Sequence, residues 1–121
     1  MDVLLLRYEI AEGRTDDLRE WLAEARDREA EILDLLGREG MHTESLFVEE
    51  VDGTDYLLWY MEAEDVARVL EVYETATDDI VAESDGLFEE VLVGGFEGTV
   101  SEADLLMHAV GPDRPSETIR R

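Results

Sequence analysis

The chain has neither lysine nor cysteine among its 121 residues, and it contains only two prolines and two histidines. Without cysteine it forms no disulfide and offers no thiolate for catalysis or metal binding. All ten basic residues are arginines and they stand against 33 acidic residues, which gives a formal net charge of -23. Because phosphate contacts need clustered Lys or Arg, this balance argues against nucleic-acid partners and against anionic membrane surfaces.

Long apolar runs are also missing. No stretch approaches the ~20 residues of a membrane-spanning helix. The start, residues 1–4, lacks the basic region of a signal peptide, so we expect a soluble cytoplasmic protein. The length fits one domain, which we place at residues 1–110, followed by a surface tail at 111–121 that contains both prolines.

The acidity itself predicts a salt environment. A charge of -23 on a chain of this length is strongly self-repelling in dilute buffer. Near 1 M salt the Debye length falls to about 3 Å, which screens most of that repulsion. We therefore predict a halophile-adapted protein. The alternatives are an acidic interaction protein or a disordered acidic segment, and the 45% hydrophobic content argues against disorder.

Apolar periodicity and turn residues predict the secondary structure. Thr15 is the expected N-cap of a long first helix, Gly37 and Gly40 its stop, and Asp52-Gly53 a hairpin turn. Thr77-Asp78-Asp79 repeats the cap chemistry before the last helix. The predicted elements are strands at 3–10, 41–51, 56–61 and 105–110, a helix at 16–37, a short helix after 64–65 and a helix after 77–79.

This order, β-α-β-β-α-(α)-β, predicts the α+β class and the ferredoxin-like arrangement, in which helices cover one face of an antiparallel sheet. Yet the predicted strands carry apolar residues at both alternating positions, as in Tyr56 to Met61. Helices can cover only one of these faces. A bare apolar face is unstable in water, so we expect a two-fold homodimer in which two sheets pack together as a dimeric α/β barrel.

With these strands the chain resembles the dimeric α/β-barrel superfamily of the antibiotic-biosynthesis-monooxygenase type, over roughly residues 2–110. Within it the chain looks like a small uncharacterised family. The resemblance is carried by the Trp21-Leu22 helix and the stretches 39–49 and 56–61. Members include cofactor-free oxygenases, haem-degrading enzymes, isomerases and dehalogenase-like proteins. The resemblance implies a fold, a homodimer and a cleft between sheet and helices, but no particular reaction.

Few residues suggest chemistry. His42, His108 and Arg7 are the catalytic candidates, since histidine transfers protons near neutral pH and Arg7 interrupts an apolar strand. The alternative for either histidine is a half-buried position in its strand or a place at the surface. Arg7 and Glu9 either form a cleft pair that orients an anionic substrate or form a structural ion pair at the strand end or dimer edge. Glu29 interrupts the apolar stripe of the first helix and either reaches the cleft or pairs with an arginine. The ligand-binding candidates are Glu9, Glu44, Trp59 and Tyr60.

No pattern predicts a metal or a cofactor. His42 and Glu44 alternate along one strand, but a metal site needs three or four ligands. Gly94, Gly95 and Gly98 lack the strand-loop-helix context of a phosphate loop. Arg114, Arg120 and Arg121 either hold the tail against acidic residues or belong to a disordered end.

Two functional hypotheses follow. One is a small-molecule site in the cleft, belonging to a cofactor-independent oxygenase or isomerase. The other is a non-catalytic binding or interaction module whose apolar sheet face only makes the dimer. An enclosed pocket with converging polar groups would favour the first, and a filled sheet interface with solvated histidines the second. The absence of a nucleophile, a metal set and a cofactor loop leans toward the second.

Overall fold

The computed structural model describes residues 1–98, 100–116 and 119. Within this part the chain is of the predicted α+β class, with four strands and four α-helices. No described helix combines the length and apolar content that crossing a bilayer requires. In chain order the elements are β1 (Asp2–Glu9), α1 (Thr15–Asp27), α2 (Glu29–Glu39), β2 (Met41–Val51), β3 (Thr54–Ala63), α3 (Val66–Thr75), α4 (Asp79–Val91), a 3-10 turn (Gly95–Glu97) and β4 (Val100–Glu102).

The strands form one antiparallel sheet in the order β2-β3-β1-β4. Leu6 on β1 lies opposite Trp59 on β3, and Trp59 lies opposite Leu46 on β2. These three side chains form a row on the sheet face that the helices cover. The predicted hairpin turn between β2 and β3 is confirmed: Asp52 and Gly53 have φ of 52° and 82°, the left-handed pair that joins two twisted strands tightly.

The core is divided into two clusters of buried side chains. The larger lies around Leu18, Leu57 and Val91, where α1 and α4 pack on the sheet. The smaller lies around Met61 and Val69, beneath α2 and α3. Leu6 and Trp59, partly buried residues of the sheet, pack against both clusters.

The predicted single helix at 16–37 is two helices. Arg28 has φ of -103° and ψ of 46°, so the chain changes direction there between α1 and α2. The Arg28 guanidinium binds Glu31 on α2 and Glu83 on α4, which holds the bend. The break lets α1 pack on α4 while α2 packs on α3. The apolar stripe continues across the bend, and a stripe alone therefore cannot reveal it.

The helix ends agree only in part with the predicted caps. Asp65 caps α3, because its carboxylate accepts a hydrogen bond from the Ala67 amide at 2.9 Å. Gly40 ends α2 in the left-handed conformation, as predicted. The N-cap prediction for Thr15 is wrong: Thr15 is the first helical residue, and its hydroxyl donates to Asp55 Oδ2 at 2.6 Å. A tertiary hydrogen-bond partner replaces the local one.

The predicted last strand at 105–110 is also wrong. β4 is shorter and earlier, and it pairs with β1 only from Leu6↔Glu102 to Tyr8↔Val100. Beyond Ala103 the chain leaves the sheet, and residues 104–110 are exposed without regular structure. We call residues 103–114 the C-terminal arm. The apolar side chains of the arm are the reason why a strand was predicted at 105–110. Contacts of the arm with Glu62 instead hold it across the outer face of the sheet.

Candidate functional site

A cavity of about 700 Å³ lies between the sheet and the helices, in the space between the two core clusters. β1, β2 and β3 form its floor, and all four helices and the 3-10 turn contribute to its walls. Its apolar wall is rich in aromatic rings, and Trp59 stacks obliquely on Phe88 with ring centroids 5.1 Å apart. The aromatic lining residues are Tyr8, Trp21, Trp59, Tyr73, Phe88 and Phe96.

Two carboxyl groups lie deep in this cavity. Glu39 is the last residue of α2, and only 4% of its surface is exposed. Glu44 projects from β2, where Trp59 Nε1–H donates a hydrogen bond to its Oε2 at 3.1 Å. Among the described residues no side chain donates a hydrogen bond to Glu39, and neither carboxyl forms an ion pair. We call Glu39 and Glu44 the carboxyl pair.

The carboxyl pair is electrostatically perturbed. Burial raises the pKa of Glu39 to about 7, with a further rise from the nearby charge of Glu44 and a small opposing effect of Arg38. Burial also raises the pKa of Glu44, which the Trp59 hydrogen bond partly offsets. Glu44 retains surface facing the cavity, but protein surrounds it, so its charge is poorly solvated.

Tyr73 adds a third polar group. Its hydroxyl is buried and has no hydrogen-bond partner among the described residues. Burial and the surrounding carboxylates, Asp85 first among them, raise the pKa of Tyr73, so the phenol remains protonated. A buried polar atom without a partner is rare in native proteins and needs an explanation. Here the hydroxyl borders a cavity that a ligand can enter.

Four further acids stand at the exposed rim of the cavity. No arginine or histidine is among the described residues that line it, so all its ionisable groups apart from the tyrosines are acids. The rim acids are Glu74, Asp85, Glu89 and Glu97.

The structure brings two of the predicted site residues into this cavity, Glu44 and Trp59, where they contact each other. Arg7 and Tyr60 lie on the outer sheet face, and the Arg7 guanidinium stacks 4.0 Å from the centroid of the Tyr56 ring. Glu9 follows Arg7 at the end of β1, opposite Tyr56.

The two histidines lie apart from the cavity. His42 stands at the bulge that begins β2, where its Nε2 lies 2.7 Å from Glu64 Oε1. His108 belongs to the C-terminal arm, where its Nε2 lies 2.9 Å from Glu62 Oε1. Glu29 is an exposed residue at the start of α2. None of these residues lines the cavity.

The contacts of Glu62 form a smaller pocket of about 260 Å³ on the outer face. Glu62 is 2% exposed and binds Arg114 as well as His108. Arg114 also donates to Thr43 Oγ1 at 2.9 Å. Of the three tail arginines, Arg114 therefore holds the arm against an acidic residue, while Arg120 and Arg121 lie outside the described residues. Because its charged groups are paired with one another, we interpret this cluster as structural.

Sequence reasoning missed Glu39 and Tyr73, although both positions carry a signal. Glu39 continues the apolar stripe of Ile32 and Leu36 at helical spacing, which points its side chain inward. Tyr73 continues the apolar face that Val66, Val69 and Leu70 form at helical spacing on α3. With 33 acids in the chain, one glutamate on a stripe is easily overlooked.

No group of three or more His, Asp or Glu side chains is arranged to hold a metal ion in the part of the chain that the structure describes. Comparison with curated proteins gives no match. Residues 1–114 match the model of DUF6176, a family of unknown function, and the chain therefore belongs to that family.

Proposed function

We propose that the protein binds a small organic molecule in the cavity between sheet and helices, and that the carboxyl pair moves a proton on it. The observation that carries this proposal is the carboxyl pair itself: two acids in an aromatic cavity, with no cationic side chain among the described residues to neutralise them. Burying an unpaired carboxylate opposes folding, so a chain selected for stability alone would replace these acids by apolar residues.

The chemistry follows from the raised pKa values. A carboxyl with a pKa of about 7, as Glu39 has, is near half protonated at neutral pH and can serve as general base or general acid. It could remove a proton from a carbon beside a carbonyl and return it to another atom, which is an isomerisation. If dioxygen from solution consumed the carbanion instead, the reaction would be a cofactor-independent oxygenation.

The fold and assembly belong to the same proposal. The order β2-β3-β1-β4 supports a ferredoxin-like subunit. The outer sheet face carries exposed apolar side chains, with Phe47 55% exposed, and the C-terminal arm adds Leu106 and Met107 at 94% and 82%. A second copy related by two-fold symmetry would cover both features and form a dimeric α/β barrel. The charge of -23 supports a halophile cytoplasm as its setting.

Light scattering in concentrated KCl tests the assembly. We expect a dimer mass for the wild type and a monomer for Phe47→Asp, because the new charge would lie in the shared sheet face. Leu70→Asp is the matched control, since Leu70 is 57% exposed but lies on α3 on the helix side. A monomeric wild type would exclude the dimeric barrel. On dilution into low salt we expect dissociation or unfolding.

Ligand screening tests the function. Small organic molecules that bind the cavity should raise the melting temperature of the wild type by mass action. Glu39→Gln and Glu44→Gln should change which compounds bind, whereas Glu20→Gln, an exposed acid on α1, should bind as the wild type does. If the dimer forms but no compound stabilises it, a non-catalytic interaction module would replace this proposal.

A further inference from the structure

The uncompensated charge of the cavity suggests the nature of its ligand. We infer that the cavity takes an organic cation, a protonated or quaternary amine with an apolar body, and that the carboxyl pair is its counter-charge. This inference rests on the proposed small-molecule function and adds the substrate class. It departs from the sequence-based idea that Arg7 orients an anionic substrate, because Arg7 lies on the opposite face of the sheet.

The carboxyl pair has no cationic partner among the described residues. Arg38, next to Glu39 in sequence, is not available as a counter-ion, because its guanidinium binds Asp34 and Asp78. Glu44 receives one neutral hydrogen bond, from Trp59. A cationic ligand group would supply the charge that no described side chain of the cavity supplies. The Tyr73 hydroxyl oxygen would accept a hydrogen bond from a protonated amine.

The aromatic wall of the cavity also suits a cation. The rings of Trp59, Phe88 and Phe96 lie within 6.0 Å of one another, centroid to centroid, beside the carboxyl pair. Aromatic faces attract ammonium groups by about 0.5–2 kcal/mol each, and they also pack well on an apolar body. A wall of this kind suits a ligand with both features.

The rim and the volume of the cavity fit an organic cation as well. The rim acids repel anions and draw cations toward the entrance. Exposed acids are common all over this chain, so the rim supports the inference less strongly than the buried carboxyl pair does. A cavity of about 700 Å³ is far larger than an inorganic ion and lies in the range of about 300–1,000 Å³ typical of organic ligands.

Three probes with the same phenylethyl body test the charge preference: phenethylamine, 2-phenylethanol and 3-phenylpropionate. Trp21 and Trp59, the only tryptophans of the chain, both line the cavity, so their fluorescence reports its occupation. The titrations are run in concentrated KCl at pH 8. At this salt concentration the interactions of exposed charges are strongly screened, whereas those of buried charge pairs are screened much less. We expect the amine to bind at least about tenfold more tightly than the alcohol, and the carboxylate not to saturate.

Variants locate the effect. Glu44→Gln should weaken amine binding about tenfold or more and leave the alcohol nearly unchanged, whereas Glu20→Gln should alter neither. Alcohol or carboxylate binding as tight as amine binding would overturn the cation preference while leaving the small-molecule site in place. If none of the three probes binds, the inference fails, whereas the proposed function fails only if the wider ligand screen also finds no stabilising compound. Far-ultraviolet circular dichroism confirms that each variant is folded.

Discussion

Replacing Glu39 by Gln should make the protein more stable at neutral pH. The pKa of Glu39 rises from 4.5 to about 7 on folding, mainly because its carboxyl is buried. Between these values the folded state binds more protons at this site than the unfolded state, so stability falls as the pH rises. Each tenfold change in proton affinity corresponds to about 1.4 kcal/mol. The unfolding free energy of the wild type therefore falls by roughly 3 kcal/mol between pH 4.5 and pH 7. Gln carries no charge and escapes this loss.

Urea denaturation in concentrated KCl at several pH values measures this effect. The difference in unfolding free energy between Glu39→Gln and wild type should be small near pH 4.5, grow to about 3 kcal/mol at pH 7 and stay level above pH 8. Taking the difference removes the contribution of distant acids, because distant sites add independently. Glu44 is a neighbour whose charge raises the pKa of Glu39, so its effect remains part of the difference. Glu20→Gln, exposed on α1, should give a flat difference. A flat difference for Glu39→Gln too would refute a buried, destabilising carboxyl.

Three further substitutions test the packing, with unfolding free energy in concentrated KCl as the measurement. Leu57→Ala should lower the unfolding free energy by about 2–5 kcal/mol because Leu57 is fully buried. Leu70→Ala should lower it by less than about 1 kcal/mol because Leu70 is exposed. Equal losses for the two variants would contradict the assigned core. Gly98→Ala should cost about 1–3 kcal/mol, since its Cβ would clash with the Val93 carbonyl oxygen, and no loss would contradict that close approach. Asp65→Ala should cost about 1 kcal/mol by removing the α3 cap, and an unchanged stability would argue against that hydrogen bond.

The sequence predicted features that depend on neighbouring residues. The bounds of β2 and the turn at Asp52-Gly53 follow from strand composition and from left-handed backbone at the turn. The start of the short helix after 64–65 follows from the two acids that open it, and α3 begins at Val66. Each of these is decided within a few residues, where propensity and local hydrogen bonding act directly.

Features set by distant contacts could not be predicted. The bend at Arg28 depends on Glu83, which is 55 residues away. The course of the C-terminal arm depends on Glu62, to which His108 and Arg114 bind, while its apolar residues alone resemble a strand. The carboxyl pair was half predicted: Glu44 was named, but the burial of Glu39 arises only when α2 packs against β2.

A carbon-13 NMR titration of the side-chain carboxyl groups, in concentrated KCl, tests the central claim most directly. The resonance that disappears in Glu39→Gln should titrate near pH 7 in the wild type, as burial beside Glu44 requires. It should shift to a lower pKa in Glu44→Gln, because the neighbouring negative charge is gone. If the Glu39 resonance titrates instead near the ordinary value of about 4.3, the cavity holds no buried carboxyl pair and the account of its chemistry is wrong.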